Sequence, residues 1–177
     1  MDKEEGISIN LSLVIGGLAQ VAVLKAETLK KHHSLVMASG IEVSQEVVSC
    51  FQEIKLSHKF RYVIFKRNAD NTIIEIEKTA DPSKTYDDFV ADIPANECRY
   101  AIFDLEYQKS DADGLRQKIV FIVWAPDAAK IKDKMLTASS KDAIKKQLVG
   151  ISTEVQATDA SEIEYSYILE KVQTISR

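Results

Sequence analysis

The sequence has few of the residues from which enzyme and metal centres are commonly built. Cysteine occurs twice, histidine three times and tryptophan once. Cys50 and Cys98 each stand in an apolar-periodic segment, which predicts two buried free thiols in a reducing cytosol. His32 and His33 are adjacent and would point in different directions on a helix, so they do not form a metal site. We therefore expect neither a metal nor a cofactor.

Motifs for covalent chemistry and for nucleic-acid binding are also missing. The sequence has no glycine-rich phosphate loop, no G-x-S-x-G and no Cys/His pair with a base nearby in the pattern. The acidic pair Asp87-Asp88 falls at a predicted helix start, where carboxylates serve as caps. The net charge is −4 and aromatic residues make up 7%, whereas a nucleic-acid-binding domain needs a basic surface with interleaved aromatics. We predict that the chain is neither an enzyme nor a nucleic-acid-binding protein.

No apolar run is long enough to cross a membrane. Leu11–Leu24 is apolar, but a membrane-spanning helix needs about 20 residues. The preceding DKEE is acidic where a signal peptide needs positive charge. We predict that residues 1–36 are an N-terminal extension without a core of its own. It is either a genuine extension or the product of a gene model that starts upstream of the true first codon, and the missing targeting signals favour the second.

From Met37 onward the hydrophobic pattern is regular and alternates between strands and helices. Predicted strands cover Phe60–Arg67, Thr72–Lys78, Arg99–Tyr107, Leu115–Trp124 and Thr153–Gln156. Predicted helices follow the cap residue Ser44, surround Phe89, and cover Lys130–Lys146 and Ser161–Gln173. Ile119–Trp124, IVFIVW, has no polar residue, which is typical of a central strand buried on both faces. Residues 37–177 are therefore predicted to form one α/β (α+β) domain.

The segment Lys130–Lys146, KIKDKMLTASSKDAIKK, is predicted to be a helix with two apolar faces. One face consists of Leu136, Ala143 and Ile144, with Ala129 and Ser140 beside them. The opposite face consists of Ile131, Met135 and Ala138. An ordinary surface helix has a single apolar stripe that faces the core, so one of these two faces is predicted to stay exposed.

Lysines border the second of these faces, Ile131–Met135. Lys134, Lys141 and Lys145 are predicted on one side of it, and Lys132 and Lys146 on the other. Six lysines and two aspartates give the segment a net charge of +4, against −4 for the whole chain. An exposed apolar stripe with a cationic rim is typical of a protein-binding helix, while a fully packed helix with solvated lysines is the alternative interpretation. The partner would be an acidic protein surface or anionic lipid headgroups.

The sequence resembles the actin-depolymerising factor (ADF)/cofilin family from Met37 to its end, about four-fifths of the chain. The resemblance is carried by MASGI (37–41), DFVADIP (88–94), KIVFIVWAPD (118–127), KMLTASSKDAIKK (134–146), GISTEVQATDASEI (150–163) and ILEKV (168–172). It implies an ADF-homology fold, in which helices flank a mixed central β-sheet of about five strands.

The resemblance also implies two actin-binding surfaces. Positions that contact the actin monomer are Ser39, Gly40, Ile41, Lys132, Lys134, Met135, Lys141, Asp142 and Lys145. Ile131 and Lys146 are added to this set because they belong to the exposed face of the helix and its rim. Positions used only on filaments are Arg116, Lys118, Glu170 and Lys171. Ser39 is the expected phosphorylation site. A phosphate there is expected to lower the affinity for actin, because it would repel an acidic actin surface.

By this resemblance the protein binds actin monomers and filaments, and severs and depolymerises filaments. Phosphatidylinositol 4,5-bisphosphate is the second expected ligand and would block actin binding through the same lysines. We expect a monomer in the cytoplasm at the actin cytoskeleton, with the nuclear matrix as a second candidate compartment. The alternative function is a membrane-associated phosphoinositide-binding adaptor, with Leu11–Leu24 lying on the bilayer.

Overall fold

The computed structural model describes residues 40–108 and 114–175, and in them six strands form one mixed sheet. The strands are β1 (Glu42–Val43), β2 (Tyr62–Arg67), β3 (Ile73–Ala80), β4 (Arg99–Tyr107), β5 (Arg116–Trp124) and β6 (Thr153–Ala157). Their order in the sheet is β1-β3-β2-β4-β5-β6. The pairs β1/β3 and β5/β6 are parallel and the others are antiparallel. The predicted α+β class is confirmed. The additional strand is β1, whose two residues are too few to show a period.

Within the described ranges four α-helices flank the sheet, and local side-chain contacts explain where two of them begin. The helices are α1 (Gln45–Ser57), α2 (Tyr86–Asp92), α3 (Ile131–Gln147) and α4 (Tyr165–Ile175). Ser44 caps α1 as predicted, because its hydroxyl accepts a hydrogen bond from the Val47 amide at 3.4 Å. Thr85 and Asp88 form a capping box at the start of α2. The predicted capping role of Asp88 is thereby confirmed.

The strands β2 and β3 form the predicted hairpin, and asparagines shape its turn. The Asn68 carboxamide oxygen accepts hydrogen bonds from the amides of Thr72 and Ile73, at 2.8 and 3.1 Å. Asn71 has φ 57°, a left-handed conformation that asparagine tolerates better than most residues. The turn brings the end of β2 next to the start of β3, which places Arg67 at one end of the sheet.

The C-terminal helix begins later than the sequence predicted. Residues Ser161–Ile163 form a 3₁₀ turn, and α4 starts at Tyr165. The carboxylate of Asp159 accepts hydrogen bonds from the amides of Ser161 and Glu162, at 2.8 and 3.1 Å. This local turn competes with the helix, so the predicted start at Ser161 was wrong.

Two apolar layers hold the helices to opposite faces of the sheet. One layer joins the sheet to α2 and α4 and includes Tyr62, Phe89, Phe103, Ile122 and Ile168. The other joins it to α1 and α3 and includes Phe51, Phe65, Phe121, Ala143 and Ile144. Alternate residues of β5 contribute to the two layers, which confirms that this strand is buried on both faces.

Both cysteines are free and buried, as predicted. Burial raises the pKa of the Cys50 thiol to about 11, so this thiol stays protonated at neutral pH. Among the described residues, no helix combines the length and the apolar character that crossing a bilayer requires. The predicted extension, residues 1–36 with its apolar run Leu11–Leu24, lies outside the described residues, and its boundary stays a prediction.

Candidate functional site

Helix α3 carries the predicted site and connects the parallel strands β5 and β6 across one face of the sheet. Its inward side buries Thr137, Ser140, Ala143 and Ile144. Ser140 fits this side because its hydroxyl donates a hydrogen bond to the Leu136 carbonyl at 2.6 Å. Leu136, which was predicted on the same face as Ala143 and Ile144, is only half-buried.

The opposite side of α3 leaves an apolar stripe in solvent. Ile131 is 75% exposed and Met135 is 68% exposed, and Ala138 is exposed beside them. The interpretation of two apolar faces is therefore confirmed, and the alternative of a fully packed helix is wrong. Exposed large apolar side chains that are contiguous and bordered by charge mark an interaction surface. We refer to Ile131, Met135 and Ala138 as the α3 stripe.

One flank of the α3 stripe is a row of lysines that are paired with acidic groups. Lys141 lies 2.7 Å from the carboxylate of Glu154 on β6, and Lys145 binds the same carboxylate. Lys134 lies 3.4 Å from Asp127. Burial raises the pKa of Glu154, but hydrogen bonds from Lys141 and Lys145 outweigh it and lower the pKa to about 2. The positive charge of this flank is thus partly neutralised before any partner binds.

The other flank carries exposed lysines. Lys132 and Lys146 are exposed and form no ion pair within residues 40–108 and 114–175. Asp142 is exposed on the same helix. The six lysines of the segment therefore differ in their availability, a distinction that the count of +4 does not reveal.

The N-terminal part of the predicted surface is described only from Gly40. Ser39 lies outside the described residues. Gly40 is exposed with φ 69°, and the short strand β1 that follows it contacts α3. Ile41 is only 2% exposed and belongs to the core layer of α1 and α3. The side chain of Ile41 therefore packs in the core, and its predicted place in the monomer-binding surface stays a prediction.

The four residues predicted for a second surface lie on one face of the sheet. Arg116 and Lys118 are half-buried at the start of β5, on the side of Val120 that faces α4. Glu170 and Lys171 are exposed on α4. The Lys171 ammonium lies 4.9 Å from the centre of the Tyr167 ring, a cation–π contact that orients it. This set is on the opposite face of the sheet from α3, so the molecule presents two separate candidate surfaces.

The described residues contain no arrangement that indicates catalysis. No group of three or more His, Cys, Asp or Glu side chains among them could hold a metal ion. His58 ends α1 with φ 49°, and its Nδ1 lies 2.7 Å from the carboxylate of the buried Asp104. This pair ties the end of α1 to β4.

Comparison with known proteins agrees with the resemblance described from the sequence, both for the fold and for the family. The family model of cofilin/tropomyosin-type actin-binding proteins matches residues 40–173. Cofilin of Mycosarcoma maydis is 56% identical over 136 residues, which are 77% of this chain and 96% of that protein. The chain belongs to the ADF/cofilin family.

Other members of the ADF/cofilin family match over the same part of the chain. Actophorin of Acanthamoeba castellanii is 53% identical over 135 residues, 76% of this chain and 96% of that protein. The crystal structure of Streptomyces griseoflavus cofilin superposes with a TM-score of 0.71 at 44% identity, covering 76% of this chain and 98% of that one. The family is one of actin-binding proteins and not a family of enzymes.

Sequence reasoning missed the residues that hold the cofilin-type helix α3 in place. Glu154 binds two of its lysines, and Arg67 contacts Asp133 in its first turn. Neither contact has a local signal in the sequence. Arg67 and Asp133 are 66 positions apart, and Glu154 lies on a separate strand nine residues after Lys145. A charged residue at the end of a predicted strand is otherwise interpreted as solvent-exposed.

Proposed function

We propose that this protein binds actin monomers and filaments, and that it severs and depolymerises filaments without covalent chemistry. The observation that carries the proposal is the exposed α3 stripe with its lysine rim, in a chain of the cofilin family. Burial of Ile131 and Met135 against a partner would supply the apolar part of the binding energy, and the lysines would select an acidic partner. Gly40, Asp142 and Ser39 complete the proposed monomer-binding surface.

The proposed mechanism on filaments is a shift of population. A protein that binds one filament conformation more tightly than another favours that conformation in proportion to the difference in affinity. Arg116, Lys118, Glu170 and Lys171 form the proposed filament-binding surface on the other face of the sheet. Two surfaces on opposite faces would let one monomeric molecule contact two actin subunits. Strain at the edge of an occupied stretch would then break the filament.

An anionic lipid headgroup is the proposed competitor of actin. Lys132 and Lys146 form no ion pair among the described residues, so phosphatidylinositol 4,5-bisphosphate could use them without displacing an acidic group. With a lipid headgroup bound to these lysines, the cationic rim would no longer be available to actin, and actin binding would be blocked. The proposed location is the cytoplasmic actin cytoskeleton. No described residue supports the nuclear matrix or the membrane-adaptor alternative.

The test is a double substitution in the rim of the α3 stripe. Truncating one member of a desolvated charge pair at an interface costs about 2–5 kcal/mol, so Lys132→Ala with Lys134→Ala should abolish monomer binding. Lys134 pairs with Asp127, which is 81% exposed, so the fold should stay intact. The measurement is actin-monomer affinity together with thermal unfolding.

The matched control removes the same charge from another part of the molecule. Lys59 and Lys84 are about half exposed and pair with Glu53 and Asp88. Lys59→Ala with Lys84→Ala should bind monomers as the wild type does. Unchanged monomer affinity in the Lys132/Lys134 variant would contradict the proposed surface.

A further inference from the structure

The two halves of α3 are attached to the domain in different ways. The second half buries Ser140, Ala143 and Ile144, and Leu148 follows in the core. In the first half, residues 131–139, Thr137 is the one buried side chain. The N-cap residue of the helix, Lys130, forms no side-chain cap hydrogen bond. Apolar packing therefore fixes the second half, whereas the first half needs other contacts.

Polar contacts from the sheet supply this attachment. The Tyr100 hydroxyl donates a hydrogen bond to the Thr137 carbonyl at 2.6 Å. Arg67 donates from Nη2 to the Asp133 carbonyl at 3.2 Å, and the same nitrogen lies 3.5 Å from the Asp133 carboxylate. The guanidinium thus holds both the backbone and the side chain of one residue in the first turn of α3.

Arg67 is itself held firmly at the end of β2. Its side chain is only 8% exposed, and its Nη1 donates a hydrogen bond to the Asn71 carboxamide in the hairpin turn. It lies in the wall of a cleft of about 650 Å³ between this turn and the start of α3. Because the planar guanidinium has fixed partners on both sides, the position of the first turn of α3 depends on the position of the hairpin.

We infer that Arg67 is a positioning residue for actin binding. It fixes the first two turns of α3, which carry Ile131, Lys132 and Met135, in the orientation that a partner requires. The inference rests on the proposed function, because it assumes that these three residues contact actin. Arg67 itself would touch no partner atom.

The expected effect follows from the population of the binding-competent orientation. The apparent affinity of a protein is proportional to the fraction of molecules in the binding-competent state. If the first turns of α3 were correctly placed in only about one tenth of the molecules, binding would therefore weaken about tenfold. Loss of Arg67 leaves the buried second half of α3 in place. The helix would therefore remain attached while its first two turns move.

The experiment compares Arg67→Ala with a matched variant of a second half-buried arginine. Arg61 stands before β2, is 17% exposed and binds the Pro82 carbonyl and Glu106, away from α3. We expect Arg67→Ala to weaken monomer binding about tenfold and to speed amide hydrogen exchange in residues 131–138 but not in 140–147. Arg61→Ala should lower the melting temperature but change neither the affinity for monomers nor the hydrogen exchange of residues 131–138. Arg67→Lys keeps one donor for Asp133 and should restore part of the affinity.

Two outcomes would overturn the inference. One is wild-type monomer affinity of Arg67→Ala while the Lys132/Lys134 variant has lost binding. The other is an equal loss of affinity in Arg61→Ala, which would indicate general destabilisation. Normal binding by the Lys132/Lys134 variant would instead contradict the proposed function itself, so the two failures are distinguishable.

Discussion

The two candidate surfaces of this cofilin-family chain differ in their chemistry. The α3 surface has an apolar centre, Ile131 and Met135, with a rim of lysines. The predicted residues of the opposite surface are all charged: Arg116, Lys118, Glu170 and Lys171. Apolar burial is not weakened by ionic screening, whereas exposed charges are screened within about 8–10 Å at ordinary ionic strength. In the proposed function, we therefore expect the α3 surface to supply affinity that persists in salt and the opposite surface to supply charge-dependent attachment to the filament.

Separate inactivation of the second surface would have the largest effect. Arg116→Ala with Lys118→Ala should weaken filament binding by on the order of 2 kcal/mol or more. The reason is that the substitutions remove two positive charges that would pair with the filament at the interface. Monomer binding should be spared, because α3 lies on the other face of the sheet. Filament co-sedimentation and monomer affinity measured side by side test this, and added salt should weaken the filament contact more. Equal losses in both assays at normal thermal stability would remove the distinction between the surfaces.

A negative charge at Ser39 should act on the α3 surface. Phosphate adds about −1.5 to −2 charges at neutral pH, and repulsion from an acidic actin surface should cost about 1–2 kcal/mol for Ser39→Glu. Gly40, the next residue, is exposed and precedes a strand that contacts α3. Monomer affinity is the measurement, with Ser39→Ala as the control that should bind normally. A Ser39→Glu variant with wild-type affinity would place Ser39 outside the interface.

The ion pairs that border the α3 stripe should be visible in the pH dependence of stability. The pKa of Glu154 is lowered from 4.5 to about 2, so its contribution is fully present above pH 4.5 and is lost as the pH falls toward 2. Glu154→Gln should therefore lower the free energy of unfolding by about 1 kcal/mol at pH 7, and the difference from wild type should shrink between pH 4.5 and 2.

Urea denaturation at several pH values measures this difference. Glu164→Gln is the matched control, because it makes the same change at an exposed glutamate. A constant difference between Glu154→Gln and wild type across this pH range would mean that the lysines of this flank are not held by Glu154.

Removal of residues 1–36 should have the smallest effect. Gly40, the first described residue, is exposed and precedes a strand that contacts α3, and a standard interface needs close packing over about 800 Å² per partner. We expect the full chain to bind monomers a few-fold more weakly than residues 37–177, with filament binding changed less. Monomer affinity and filament co-sedimentation on both proteins would test this, and equal monomer affinities would show that the extension does not obstruct the surface.

Long periodic segments were predictable from sequence, and short or polar elements were not. The run Ile119–Trp124 identified an interior strand that is buried on both faces, and the bounds of β4 were predicted to the residue. The two residues of β1 have no period, and the start of α4 was misplaced because the Asp159 turn is set by local hydrogen bonds. Hydrophobic patterning thus determined the layers but not the polar ends of elements.

The candidate surface was predictable in its exposed part and not in its supports. The angular positions of Ile131 and Met135 follow from helical geometry, so their exposure was foreseen. The burial of Ile41 was not, because a single apolar residue before a short strand has no pattern. The contacts of Arg67 and Glu154 depend on tertiary folding, and a single sequence read by itself does not reveal them.

The crossover position of α3 has a consequence for the order of folding. The strands β4 and β5 pair antiparallel through a short connection, so their contacts form early. The parallel pair joins Val120 to Thr153 and closes only after all of α3 has crossed the sheet. Destabilising substitutions on the buried side of α3 should thus speed unfolding and leave the folding rate nearly unchanged. A newly made chain would acquire its capacity to bind a partner in the last step of folding, and would lose it first when β6 detaches from the edge of the sheet.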